Sequence, residues 1–132
     1  MFLKFDDQKK KLNDVSKNKK QANLEFLRKQ LDCKLVDVQT IGLIDVWVDD
    51  EGLLTNNYEH IHTLKYKDEI GRVVEELTIA GSFVFADYNQ EGETIPLTNE
   101  MKKFIRENIE ITSETPQEYV SRTNGNEYND GI

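Results

Sequence analysis

Two runs in the first half of the chain, Leu35-Val36-Asp37-Val38-Gln39 and Leu43-Ile44-Asp45-Val46-Trp47-Val48, constrain the fold more than any other feature. Both are rich in β-branched residues and are separated at Ile41-Gly42, the pattern of a hairpin. Period-two alternation puts Ile44, Val46 and Val48 on one face of the second strand and Leu43, Asp45 and Trp47 on the other. A hairpin with two unlike faces needs a core against one of them, so the chain is committed to an antiparallel sheet with a layer packed on it.

Further extended segments follow. Asp49-Asp50-Glu51-Gly52 reads as a turn in which Gly52 supplies a positive φ. His60 to Tyr66 alternates, Asp68-Glu69-Ile70-Gly71 turns, Arg72 to Ile79 alternates less regularly, and Gly81 interrupts before Ser82-Phe83-Val84-Phe85-Ala86. Leu24, Leu27 and Leu31 recur at helical spacing, and Asp6 or Asp7 is expected to cap a helix that begins upstream in the lysine run. Thr98 is the expected N-cap of a second helix whose apolar face is Met101, Phe104, Ile105 and Ile109. The expected fold class is therefore α+β. It is a single domain with a twisted, mainly antiparallel sheet of four or five strands, packed by an N-terminal helix and a C-terminal helix. Residues 1–23 are expected as a basic N-terminal arm or helix, 24–111 as the core domain, and 112–132 as a flexible acidic and polar tail. That tail offers only Tyr119, Val120 and Tyr128 as large apolar groups, too little burial to offset the entropy of ordering it.

Charge divides the chain in two. Residues 1–34 carry ten Lys/Arg against five Asp/Glu, a net of +5, and the remainder carries seven against twenty, a net of −13 within a total of −8. An acidic body argues against direct nucleic-acid binding and for a basic protein partner, and the lysine arm lacks interleaved aromatics between Lys9 and Lys20. No stretch approaches the ~20 consecutive apolar residues of a membrane span. Lysine follows Met1-Phe2-Leu3 directly, without a signal-peptide apolar region, and Cys33 is the single cysteine, which excludes an internal disulfide. The expectation is a cytoplasmic protein, acting in the host cell cytoplasm if phage-encoded, with no membrane contact; a homo-oligomer is left open.

Signatures of catalysis are missing. There is no Gly-x-Ser-x-Gly elbow around Ser16, Ser82, Ser113 or Ser121, and Gly71, Gly81 and Gly92 are too widely spaced for a phosphate loop. His60 and His62 lie on one face of a strand and are weak candidates for a metal pair, with Asp45, Asp49 or Glu59 to complete a shell. Both fall in a polar stretch and are expected on the surface. No catalytic residue and no cofactor is expected. The ligand-binding candidates are Trp47, Asn57, Tyr58, Tyr66 and Arg72, because aromatic faces stack bases and a guanidinium grips phosphate or carboxylate.

The chain resembles the phage and bacterial family known as domain of unknown function 3846. The resemblance runs through Leu24–Leu31, Leu35–Val38 and Val46-Trp47-Val48-Asp49-Asp50-Glu51-Gly52-Leu53-Leu54 with Asn57. It resumes at Ile79-Ala80-Gly81-Ser82-Phe83-Val84, Glu91-Gly92 and Leu97-Thr98-Asn99-Glu100. Its most specific elements are the Asp-Glu-Gly turn followed by an asparagine and the later Ile-x-Gly strand. The chain departs from the family at Asp32-Cys33, where a glycine pair is usual, and in its longer lysine arm. The resemblance implies an α+β fold and a non-enzymatic, phage-encoded accessory protein that counteracts a host process by binding. One form would sequester a nucleotide-derived immune signal in a pocket of aromatics and Arg72. The alternative is an acidic interaction module, or nucleic-acid mimic, that inhibits a basic host protein. The expected partners are thus a host protein or a nucleotide-type small molecule.

Overall fold

A computed structural model describes residues 1–15, 24–52 and 58–130. Among the described residues it is α+β with three helices, and every strand pairing is antiparallel. The strands are β1 (Phe2–Asp6), β2 (Lys11–Val15), β3 (Val36–Ile41), β4 (Ile44–Asp49), β5 (Ile61–Lys67), β6 (Val73–Ala80), β7 (Phe83–Tyr88), β8 (Thr94–Ile95) and β9 (Ile109–Glu114). The helices are α1 (Leu24–Leu31), α2 (Asn99–Asn108) and α3 (Pro116–Asp130). Instead of one sheet of four or five strands, the described residues form two. A six-stranded sheet runs β2-β1-β7-β4-β3 with β8 beside β7, and a three-stranded sheet runs β6-β5-β9.

The β3–β4 hairpin forms as the alternation dictates, with Ile41 opposite Ile44 and Gly42 in the connection at φ 60°. Ile44, Val46 and Val48 join Leu3, Phe5, Phe83 and Phe85 on the face turned to the smaller sheet, where they meet Leu64 and Ile79. The opposite face, with Phe2, Val84 and Ala86, is covered by α1 through Leu27 and Leu31. Leu24, expected on that apolar face, is exposed. Helix α2 is capped by Thr98 as expected, the Met101 N–H donating to its Oγ1 at 3.1 Å, and it buries Ile105 in the inter-sheet core. Ile109 leaves the helix and begins β9.

The N-terminal segment corrects the sequence reading. The expected helix starting at Asp6 or Asp7 is a β-hairpin, and Phe2, Leu3 and Phe5 are core residues rather than part of an arm. Asp6 does receive backbone N–H groups, from Gln8 at 2.9 Å and Lys9 at 3.0 Å, but as the first residue of a tight turn. Burying three large side chains in one short strand outweighs the helix propensity of the lysines. The C-terminal segment differs too. β9 pairs with β5 as far as Glu114, and a helix stands at 116–130 where a flexible tail is expected. Thr115 and Glu118 form a capping box, the Glu118 N–H donating to Thr115 Oγ1 and the Thr115 N–H to Glu118 Oε1. Arg122 then grips the Glu114 carboxylate with Nε and Nη2, at 3.2 and 2.7 Å, and fastens α3 to β9. Among the described residues no helix is long and apolar enough to cross a membrane.

Candidate functional site

Asp7 ties the N-terminal hairpin to distant parts of the chain. It sits in the β1–β2 turn, 7% exposed, and its carboxylate accepts the N–H groups of Glu59 (2.6 Å) and His60 (3.1 Å) and the Nε2–H of His62 (2.8 Å). Its carbonyl accepts the His60 Nδ1–H at 2.9 Å, and its own N–H donates to Ser82 Oγ at 2.9 Å. His62 is fully buried between Phe5 and Phe83, and burial holds its pKa below the ordinary imidazole value despite the opposing pull of Asp7. The neutral ring gives its Nε2 proton to Asp7 and leaves Nδ1 to accept the Ser113 hydroxyl at 2.7 Å.

The two histidines are therefore not a surface metal pair. His62 is buried, His60 is half-buried, and both are committed to Asp7; among the described residues no group of three ligands is placed to hold a metal. The chain Ser113–His62–Asp7 has the connectivity of a nucleophile relay. Ser113 lies opposite His62 in the β5–β9 ladder, so its hydroxyl is on the face turned toward the large sheet and beside the aromatic core. Its evident role is to satisfy a buried imidazole.

The ligand-binding candidates lie apart. Trp47 packs beneath α1, and its Nε1 is buried without a partner among the described residues. Tyr66 packs edge-on against Phe104 and over Gly42. Arg72 is at the tip of the β5–β6 hairpin, where its Nε donates to Asp68 at 3.2 Å. Tyr58 lines a cleft of about 430 Å³ whose charged residues are Lys4, Asp6, Asp7, Asp32 and Glu59. Asn57 lies outside the described residues. Among the described residues Trp47, Tyr66 and Arg72 do not share a pocket, and the cleft beside Tyr58 carries four carboxylates against one amine, the wrong sign for phosphate. Cys33 is half-buried, and desolvation with the nearby Asp49 and Asp32 pushes its thiol up to about 11.

A second cleft, of about 320 Å³, opens between β3 at the edge of the large sheet and β6 at the edge of the small one. Val48, Ile79 and Ala80 form its apolar floor, and Asp37, Asp49 and Asp50 give it an acidic rim. Gly52 closes one end. It is not at positive φ, contrary to the turn expectation; instead a Cβ there would stand 3.2 Å from the Ala80 carbonyl oxygen. The requirement for glycine is thus close backbone approach. At the other end the Gly42 N–H donates to Glu75 Oε2 at 3.0 Å and ties the two edges together. The distance in sequence between the acidic turn and β6 hides the groove.

Two stacked antiparallel sheets, with one helix over the outer face of the larger and another that adds Ile105 to the core between them, define an α+β domain class. Within that class, the sequence profile described as "Domain of unknown function (DUF3846)" matches residues 2–110, and the chain belongs to this family. The match begins at the first residue of β1, so the N-terminal hairpin is part of the family domain. No curated protein and no solved structure matches.

Proposed function

We propose that this chain works by binding rather than by catalysis, as a phage-type accessory protein that counteracts a host process in the cytoplasm by engaging a basic protein surface. The observation that carries this reading is a convergence. The Asp49-Asp50-Glu51-Gly52 turn and the Ile79-Ala80-Gly81 strand, the segments that most specifically resemble the family, meet at the acid-rimmed groove between β3 and β6. A groove with an apolar floor and a few fixed charges suits recognition, and its carboxylates favour lysine or arginine over a nucleotide's phosphates. The dispersal of Trp47, Tyr66 and Arg72 removes the main support for the nucleotide form of the proposal.

The test is a thermal-shift titration with lysine- and arginine-rich peptides beside a panel of cyclic nucleotides and ADP-ribose derivatives. Basic peptides are expected to raise Tm at low salt, with the effect fading as salt is added and vanishing in an Asp37→Asn, Asp49→Asn, Asp50→Asn variant. A nucleotide-induced shift that survives in that variant would overturn the reading.

A further inference from the structure

We infer that the groove takes its basic ligand as an extended segment that adds a fourth strand to the small sheet along the outer edge of β6; this rests on the binding function proposed above. Among the described residues, β6 pairs only with β5 and is an end strand of eight residues. The ladder phase shows which backbone groups are unpaired. The Gly81 N–H donates to the His60 carbonyl, so in this antiparallel register His62/Ile79 and Leu64/Leu77 are hydrogen-bonded pairs and Thr63/Thr78 and Lys65/Glu76 are not. The N–H and C=O of Thr78 and Glu76 therefore point away from β5, toward the side on which the groove opens.

The larger sheet leaves room for such a strand. Asp37 and Gln39 share the inward-facing side of β3 with buried Ile41 yet line the groove instead of a core. A strand beside β6 would lie beneath them. Its alternate side chains would meet the apolar floor of Val48 and Ile79 or the carboxylates of Asp37, Asp49 and Asp50, which selects a segment alternating apolar and basic residues. A second copy of this chain is the other candidate for an open edge. Self-pairing of β6 would bring Glu75 and Glu76 of each copy close together in a chain of net charge −8, and like charges across a ladder oppose it.

The probe is a short, end-capped peptide of alternating valine and lysine, titrated onto the full chain at low salt. It is compared with its valine–glutamate counterpart and with two versions N-methylated on one or the other alternate set of residues. Binding should require lysine and should be lost on methylating one set while surviving on the other. On the protein, Thr78→Pro removes the outward N–H without touching the β5 ladder and should weaken the peptide by about tenfold or more, whereas Thr78→Val keeps that N–H and the affinity. Should Thr78→Pro fail to fold, the methylated peptides decide alone. Failure of every basic peptide to bind overturns the binding function and this mode together. Binding that ignores both methylation patterns and Thr78→Pro overturns strand addition alone. A free protein that is dimeric, and that Thr78→Pro turns into a monomer, assigns the edge to a second copy and overturns the peptide ligand.

Discussion

Asp7 and His62 are joined by a 2.8 Å hydrogen bond across 55 residues of sequence, and this contact links the N-terminal hairpin of the large sheet to the central strand of the small one. The same carboxylate also accepts the backbone N–H groups that lead into β5, at Glu59 and His60. One buried anion thus fixes the entry of a strand and the orientation of an imidazole, while Ser113 holds the far side of the ring. Phe5, stacked on Phe83, also packs edge-on against His62 and shields the ring from water, which strengthens the bonds the imidazole makes.

Replacing Asp7 by Asn should therefore be costly although it is nearly isosteric. The amide nitrogen cannot accept a hydrogen bond, so at least one of the N–H groups facing it is left unsatisfied in a buried site. The expected loss is about 2–4 kcal/mol, read as a lower urea midpoint with little change in slope. A loss below about 0.5 kcal/mol would show that the network contributes little to holding the two sheets together.

His62 gives the fold a defined acid sensitivity. Its folded pKa is depressed by burial, with Asp7 opposing and His60 adding to the depression. Well above about pH 6.5 the ring is neutral in both states and the group contributes no pH dependence. Below that value the unfolded chain takes up a proton that the folded chain refuses, so stability falls as pH drops from about 6.5 toward the folded pKa. The slope approaches about 1.4 kcal/mol per pH unit. Urea midpoints at roughly pH 7.5 and 5.5 should differ in the native chain and converge in His62→Gln, and equal pH slopes in the two proteins would refute the assignment.

How much of this was legible depends on the range of the interaction that decides each element. The β3–β4 hairpin and the Thr98 cap are decided by neighbours, and the alternation of Ile44, Val46 and Val48 shows the first directly. Asp6 is ambiguous locally, because a carboxylate receiving N–H groups two and three residues on serves a helix cap or a turn equally well. The choice is made by Phe2, Leu3 and Phe5 docking beside β7, a contact that no local pattern announces. The capping box Thr115-Pro116-Gln117-Glu118 was readable, but a reading by composition weighs the polar tail and passes over it. The burial of His62 is hidden for the same reason as the groove, since its partners Asp7 and Ser113 are 55 and 51 residues away.

Cys33 should be a poor nucleophile despite its partial exposure. With the thiol pushed up from an ordinary 9.0 to about 11, the thiolate fraction near neutral pH falls roughly a hundredfold. Alkylation by iodoacetamide at roughly pH 7.5 should be slower than for the urea-unfolded chain by about that factor. Equal rates in the two states would mean that neither desolvation nor Asp49 and Asp32 controls the thiol.

The end of α1 carries a strain that one substitution should relieve. Asp32 has φ 50°, the Cys33 N–H donates to the Arg28 carbonyl at 3.0 Å, and the Asp32 N–H reaches the Lys29 carbonyl at 3.4 Å. Those two bonds are the pattern of a left-handed helix terminus, whose central position favours glycine because a Cβ crowds the following carbonyl. It is also the position at which the family resemblance implies the first of a glycine pair. Asp tolerates this conformation better than most residues, and its side chain lines the cleft beside Tyr58. The backbone gain from Asp32→Gly should still dominate, stabilising the fold by about 0.5–1 kcal/mol and raising Tm by about 2–5 °C. Asp32→Ala should lower Tm, since it keeps the Cβ and loses the polar group. A fall in Tm for the glycine variant would show that the contacts of the Asp32 carboxylate outweigh the strain of its backbone.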